Sequence, residues 1–489
     1  MPGNRRKTGQ RVLILNPPWV KDFCRSARWA ARSRARVQRH PEGLLILAAL
    51  LEREGHTVRF VDGPVFGLDR EAVSRAVSEF TPDLAVIHTT TPSIYNDLSY
   101  AELVKARVPA CTTVCLGPHV TALPGETFAI AEDRFHGTLD VIARGEFDVT
   151  VSELCAGACR AGLPGISFKE GRRLCHNSER PLLDVNTLPF PAWHLTDPRR
   201  YRDFSKRLPF LTLVSGRGCF GQCNFCRDTP LMEGRRTRFR NPLLVSEEIG
   251  NDLAQYPDLR EIMFETDTFT ASADHVRGVC ESILRRGFHR RLSFACNTRV
   301  DMDLSLLPLM KRANFRLLVA GFEFGSQEAL AITEKGITLE QSRAFAAETR
   351  RLGFKIHGCF MIGAPGETEA TARETIDFAK SLCIDTAQFS GICVYPGTKM
   401  YRWAKMNRFL VPGDWTGWVS PTHEQTTLLN YPKLPRERMD ALIDRGLREF
   451  YLRPGKILRM LFSIRGWPDF RRLFFGVEKF FEYFRRKTR

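Results

Sequence analysis

Gly216-Arg217-Gly218-Cys219-Phe220-Gly221-Gln222-Cys223-Asn224-Phe225-Cys226-Arg227-Asp228 puts three thiols on one short loop. Three thiolates this close cannot complete a tetrahedral zinc shell, but they can bind three irons of a cubane and leave the fourth iron open. The loop follows an apolar strand expected at 211–215, so the open iron would stand at a strand's end, within reach of a small chelating cofactor. Two plainer readings remain: scattered thiols with no joint role, and a zinc site completed by a distant ligand.

The chain has 489 residues, enough for two or three domains with large cores. Its 14 cysteines lie mostly singly in apolar stretches, as Cys111, Cys115, Cys296, Cys359 and Cys393 do, and read as small buried hydrophobes. The arginine-rich start runs straight into Val12-Leu13-Ile14-Leu15 without an apolar segment like a signal peptide, and no stretch is long enough to span a bilayer. Reduced thiols therefore predict a cytoplasmic protein.

The first half alternates short apolar strands, expected at 12–16, 57–62, 83–88, 112–116 and 139–143, with helical stretches near 43–54, 70–79, 94–107 and 121–131. Such alternation predicts an α/β fold with a doubly wound parallel sheet, which binds ligands beyond the carboxyl ends of its strands. The residues there are small or polar: Asn16-Pro17-Pro18, Asp62-Gly63-Pro64, Thr89-Thr90-Thr91-Pro92, Gly117-Pro118-His119 and Gly145-Glu146. From Leu163 to Arg207 the chain is polar, with the proline punctuation of a linker. Strands resume near 211–215, 261–265, 291–296, 316–322, 354–361 and 386–393, six β/α units that fit a partial barrel. The expected divisions are 1–162, a linker 163–207, a barrel 208–408 and a basic helical region 409–489.

The CxxxCxxC spacing, with Phe225 before its last cysteine, resembles the signature of the radical S-adenosylmethionine (SAM) superfamily. The loops Asn-Pro-Pro, Val-Asp-Gly, Thr-Thr-Thr and Gly-Pro-His resemble those of the cobalamin-binding domain that precedes the radical domain in many such enzymes. The resemblance implies a 4Fe-4S cluster on Cys219, Cys223 and Cys226, with SAM chelating the open iron through its amino and carboxylate groups. It implies cobalamin against Asn16, Pro17, Asp62, Thr90, Gly117, His119, Gly145 and Glu146. The Asp-x-His-x-x-Gly run that ligates cobalt in other cobalamin proteins is absent, so cobalt is expected without a protein ligand.

Later strand ends carry groups suited to SAM. Glu265 and Asp267 offer acceptors for its ammonium, in a stretch resembling the family's Asp-Asp-Thr-Phe-Thr but with Thr266 where an Asp is usual. A solvated acidic turn before a helix would look the same. Arg299 could fork onto the methionine carboxylate, Asn297 meet a ribose hydroxyl, and Glu323 reach a sugar or sulfonium edge. Gly363, in a Gly-Ala-Pro-Gly turn, would let backbone approach adenine. No general base is assigned.

The implied activity is reductive cleavage of SAM to a 5′-deoxyadenosyl radical, with an electron from a donor such as flavodoxin or ferredoxin, and cobalamin-dependent C-methylation of a small molecule. Ring formation or rearrangement, as in the anaerobic porphyrin cyclases that the chain also resembles, is not separated from it. A net charge of +17 invites a third reading, an RNA-binding or RNA-modifying metalloprotein. Against it, the tail shows no β-rich module and no aromatic-basic RNA motif. From Arg453 to Arg489, basic residues alternate with Leu458, Met460, Leu461, Phe462, Trp467, Phe470, Phe474, Phe475 and Phe481. That pattern suits an anionic membrane surface, with a lipid or other hydrophobic substrate, and equally suits packing on the barrel.

Overall fold

The expected strands form where continuous apolar runs can be buried on both faces. The structure is a computed structural model that describes residues 9–26, 29–462, 466, 470, 474, 476–478 and 481–484. The first sheet runs in the order Thr57–Asp62, Arg11–Asn16, Leu84–His88, Thr112–Leu116 and Val141–Ala143, all parallel. The order reverses between Arg11–Asn16 and Leu84–His88, and a crevice for a ligand opens at such a point. The second sheet holds Phe210–Leu213, Glu261–Phe264, Ser293–Thr298, Phe315–Glu323, Lys355–Ile362 and Thr386–Gly391 in chain order, all parallel. On the face that its helices cover, aromatic rings of neighbouring strands stack, Phe322 on Phe360 and Phe360 on Phe389, each at 5.4 Å.

Two stretches depart from expectation. Ile166–Glu170 and Arg173–His176 lie within the expected linker, yet they extend the first sheet as an antiparallel hairpin. Ile166 and Phe168 are buried, while Glu170 and Arg173 face water, which gave this edge the look of a polar loop. The C-terminal region is not helical throughout. Residues 409–435 are largely irregular around a short turn at Trp415–Trp418, and helices follow at Arg436–Tyr451 and Pro454–Phe462. Pro412, Pro421, Pro432 and Pro435 deny this stretch a helix interior.

Between the first strand and helix Glu42–Arg53 the chain leaves the sheet as a strap rich in arginine. Arg25 reaches back into the crevice, where its guanidinium donates to the Pro17 carbonyl at 2.7 Å, Ser93 Oγ at 3.0 Å and Asp97 Oδ1 at 2.6 Å. Further along, Arg34 donates to the Phe389 carbonyl, Arg36 pairs with Glu424, and Arg39 grips both oxygens of Glu265 at 2.9 and 3.0 Å. One segment is thus pinned to both sheets and to the C-terminal region. The Arg25 and Asp97 side chains are wholly buried. Replacing Asp97 with Ala would strand a buried cation, at a cost of about 3–5 kcal/mol. A thermal melt followed by circular dichroism should show the loss, and an unchanged melt would contradict the role given to this pair.

Candidate functional site

The cysteine loop leaves the strand Phe210–Leu213 and is bracketed by a two-stranded ribbon in which Gly216–Arg217 pairs with Arg238–Phe239. The ribbon is locked to the first sheet by buried charge. Asp148 accepts from Arg217 at 2.6 and 3.2 Å, and Glu146 accepts from Arg238 at 2.7 and 2.9 Å and from the Leu183 N–H at 3.0 Å. Glu146, expected against cobalamin, is therefore committed to docking the two sheets. The cause is electrostatic, since a carboxylate this deep needs its charge paired and its oxygens hydrogen-bonded.

Within the loop, the Cys226 N–H donates to the Cys223 carbonyl at 3.3 Å. The Asn224 amide donates to the Ile332 carbonyl, and Asn224's own carbonyl accepts from Met400 N–H. Phe225 packs, half-buried, against the core. Gly221 leaves open a space that a Cβ would fill: such an atom would stand 3.4 Å from Cys219 Sγ, 3.8 Å from Cys223 Sγ and 3.0 Å from Arg299 Nη1. Two sulfurs and a guanidinium facing one side-chain-free position fit a bulky anionic cluster. Among the described residues no group of three His, Cys, Asp or Glu closes on a single ion. A cubane does not ask for that, because each thiolate binds a different iron. Cys219 also accepts from the Gly221 N–H at 3.4 Å and lies 3.3 Å from Thr268 Oγ1.

Of the expected SAM residues, Arg299 and, through Lys335, Glu323 stand beside this loop, and most of the set is already engaged. Arg299 spends Nε and Nη2 on Asp301 and the Lys335 carbonyl, so its fork is not open to a carboxylate and Nη1 alone faces the cysteines. Glu323, in a left-handed conformation with φ of 64°, is paired with Lys335 at 2.7 Å. Burial works against the Lys335 ammonium, but Glu323 and then the Cys223 sulfur outweigh it and hold it charged. Glu265 is gripped by Arg39 and also accepts from the Asn297 amide at 3.2 Å. Thr266 is buried, with its hydroxyl accepting from the Ser215 N–H at 2.9 Å, so the residue that replaces an Asp ties two strand ends together. Asp267 lies close enough to Glu233 to disfavour its ionisation. Burial first, and then that charge, push the Glu233 carboxyl above the usual carboxylate range. At Gly363 the N–H donates to Glu367 at 2.5 Å and the carbonyl accepts from Tyr431, which leaves that backbone less open to adenine than the turn sequence implies.

At the edge of the first sheet, Asn16 donates to Asp62 at 2.8 Å, Tyr201 donates to the same carboxylate at 2.8 Å, and His88 meets Asn16 Oδ1 at 3.1 Å. Burial raises Asp62 to about 6 and lowers His88 to about 3. Thr90 is tied to Ser93 and Asp97. Gly117, with φ of 125°, lies where a Cβ would meet the Thr89 carbonyl at 2.4 Å. His119 packs edge-on against Trp415 and is kept neutral by burial; its Nδ1 faces Thr91, and Nε2 has no partner. That orphaned nitrogen and the left-handed turn at Gly145 both lie at the carboxyl edge of the first sheet. The chain just past the cysteines returns to this edge. The Leu231 carbonyl lies 3.8 Å from where a Gly145 Cβ would stand, and Thr121 Oγ1 donates to Met232 Sδ at 3.8 Å.

Lys335, Arg39, Tyr201 and Thr268 were not singled out from sequence. Except for Lys335, twelve residues from Glu323, their partners lie far away along the chain, so only the density of arginine between residues 25 and 39 gave a signal.

A model of the radical SAM superfamily matches residues 213–379, and one of the B12 binding domain matches 29–154. An uncharacterized methyltransferase of Pyrococcus horikoshii is 30% identical over 87% of this chain and 91% of its own length. Cytidylyl-2-hydroxyethylphosphonate methyltransferase of Streptomyces wedmorensis is 24% identical over 83% of each chain. The radical SAM methyltransferase TsrM of Kitasatospora setae, solved with cobalamin and a [4Fe-4S] cluster, superposes with a TM-score of 0.70 at 18% identity, over 92% of this chain and 90% of its own, which shows a shared fold. Anaerobic reconstitution should load about one cubane per chain, and changing Cys219, Cys223 and Cys226 together to Ala should abolish it. Equal iron, sulfide and visible absorbance in the two proteins would contradict the ligand assignment.

Proposed function

Because the chain belongs to the cobalamin-dependent radical SAM methyltransferases, enzymes that use a 4Fe-4S cluster, SAM and cobalamin, we propose that it C-methylates a small hydrophobic metabolite held between the cysteine loop and the edge of the first sheet. The observation that carries this is the meeting of Leu231 and Met232, just past the cysteines, with Gly145 and Thr121 on that edge. When bound, the reduced cluster supplies radical cleavage of SAM and cobalamin supplies the methyl carrier. The chain's own residues hold and shield. Arg299 Nη1 faces the cluster loop as a candidate anchor for the SAM carboxylate, and Asp267 stands beside the Glu233 carboxyl, whose ionisation it disfavours. The ion pairs of Glu146 and Asp148 keep the junction closed to water. Turnover of candidate metabolite pools should give a product heavier by one CH₂ unit. A product without that gain would favour ring formation or rearrangement, and turnover by cobalamin-free protein would remove the methyl-transfer mechanism.

The preference for a hydrophobic substrate rests on the C-terminal region. Leu458, Leu461, Phe462, Phe470, Phe474 and Phe481 are exposed, Phe462 at 84%. Tyr483, by contrast, is buried and donates to Asp444 at 2.7 Å. Lys456 does not join a basic surface: it is buried, donates to the Ile384 and Asp385 carbonyls, and is lowered to about 8 by burial. Arg465, Trp467, Arg471, Arg472, Phe475, Lys479, Arg485, Arg486 and Lys487 lie outside the described residues. No described helix is long and apolar enough to cross a membrane. An exposed apolar patch in a basic setting suits the surface of an anionic bilayer. Full-length protein should sediment with anionic liposomes at low salt, and a chain ending at Tyr451 should not. Equal, negligible binding by both would withdraw the lipid preference.

A further inference from the structure

The stretch Glu265-Thr266-Asp267-Thr268 contains a hydroxyl that the reading above leaves unused. Thr268 comes from a different strand end than the cysteines, is 3% exposed, and places Oγ1 3.3 Å from Cys219 Sγ. No other acceptor among the described residues meets that hydroxyl. In a free thiol either atom could donate, but a thiolate bound to iron can only accept. Thr268, itself buried, must then be the donor. The Gly221 N–H reaches the same sulfur at 3.4 Å, so Cys219 takes hydrogen bonds from both sides. The nearby cations are largely compensated, because Arg299 is paired with Asp301 and Lys335 with Glu323. Thr268 therefore acts on the sulfur as a neutral, directed dipole.

We propose that Thr268 is a positioning residue that sets the reduction potential of the cluster by donating a hydrogen bond to the Cys219 thiolate. The couple adds one electron to the cluster, delivered by a one-electron protein donor, and no bond forms or breaks. The added charge spreads over the irons and their sulfurs, so a donor aimed at one sulfur stabilises the reduced form more than the oxidised form. The cluster becomes easier to reduce, which is the step that SAM cleavage awaits. This inference rests on the three cysteines being the cluster ligands.

The test is an anaerobic redox titration of reconstituted full-length protein, read by electron paramagnetic resonance of the reduced cluster, with iron and sulfide measured alongside. Thr268→Val keeps the shape and removes the hydroxyl. Its ratio of reduced to oxidised cluster at a fixed potential should fall about three- to tenfold, the upper figure being about 59 mV for one electron. Thr268→Ser should restore the parent potential. Equal potentials in parent and Val proteins at equal iron content would overturn the inference while leaving the cluster assignment intact. So would a Ser variant shifted as far as Val, which would make the effect one of packing. A Val variant that fails to hold iron would recast Thr268 as a structural support of the ligand loop and overturn its electronic role. A parent that assembles no cluster would overturn the ligand assignment and this inference together.

Discussion

Glu146 and Asp148 follow the strand Val141–Ala143 at the edge of the first sheet and meet Arg238 and Arg217 of the cysteine ribbon in a largely buried junction. Everything else at the site depends on that pairing. Each charge, taken alone, would be costly to bury; together, with the Leu183 N–H adding a further donor, they fix the distance and angle between two sheets that share no strand. A junction of apolar residues would tolerate sliding. A set of directional, charge-assisted hydrogen bonds does not, and a site assembled from two domains needs that definition.

The arginine strap works to the same end from the other side. Arg25 fills the crevice where the strand order of the first sheet reverses, and Arg39 holds Glu265 at the mouth of the second sheet. The guanidinium suits both places because it presents several donors in a rigid plane and stays charged when buried. The strap therefore couples the strand ends of the first sheet to the position of an acid at the end of a strand of the second. The packing of His119 against Trp415 brings the C-terminal region into the same assembly.

The strand-end residues proposed for SAM are not free: Arg299 is bonded to Asp301, Glu323 to Lys335, Glu265 to Arg39 and Gly363 to Glu367. The physical cause is common to them all. Polar groups at the ends of buried strands must be satisfied, by a neighbour in the chain at Arg299 and Gly363 and by a distant residue at Glu265. Thr266 is the clearest case, since its hydroxyl takes up the Ser215 N–H and so binds two strand ends together.

By itself the sequence determined the two parallel sheets, because short apolar runs alternating with amphipathic stretches have no other stable way to bury both faces. It also placed three thiols within one loop, a local pattern that needs no fold to bring it together and that proposes Cys219, Cys223 and Cys226 as cluster ligands. It could not reveal the edge hairpin at Ile166–His176, where charges facing water hide a half-buried strand, nor the proline-broken course of residues 409–435. Tertiary structure alone decided that Glu146 docks domains, that Lys335 holds Glu323, that Arg39 crosses to Glu265 and that Thr268 faces Cys219. Those assignments depend on which distant strand ends are brought within hydrogen-bond reach, a matter of three-dimensional closure that no local pattern encodes.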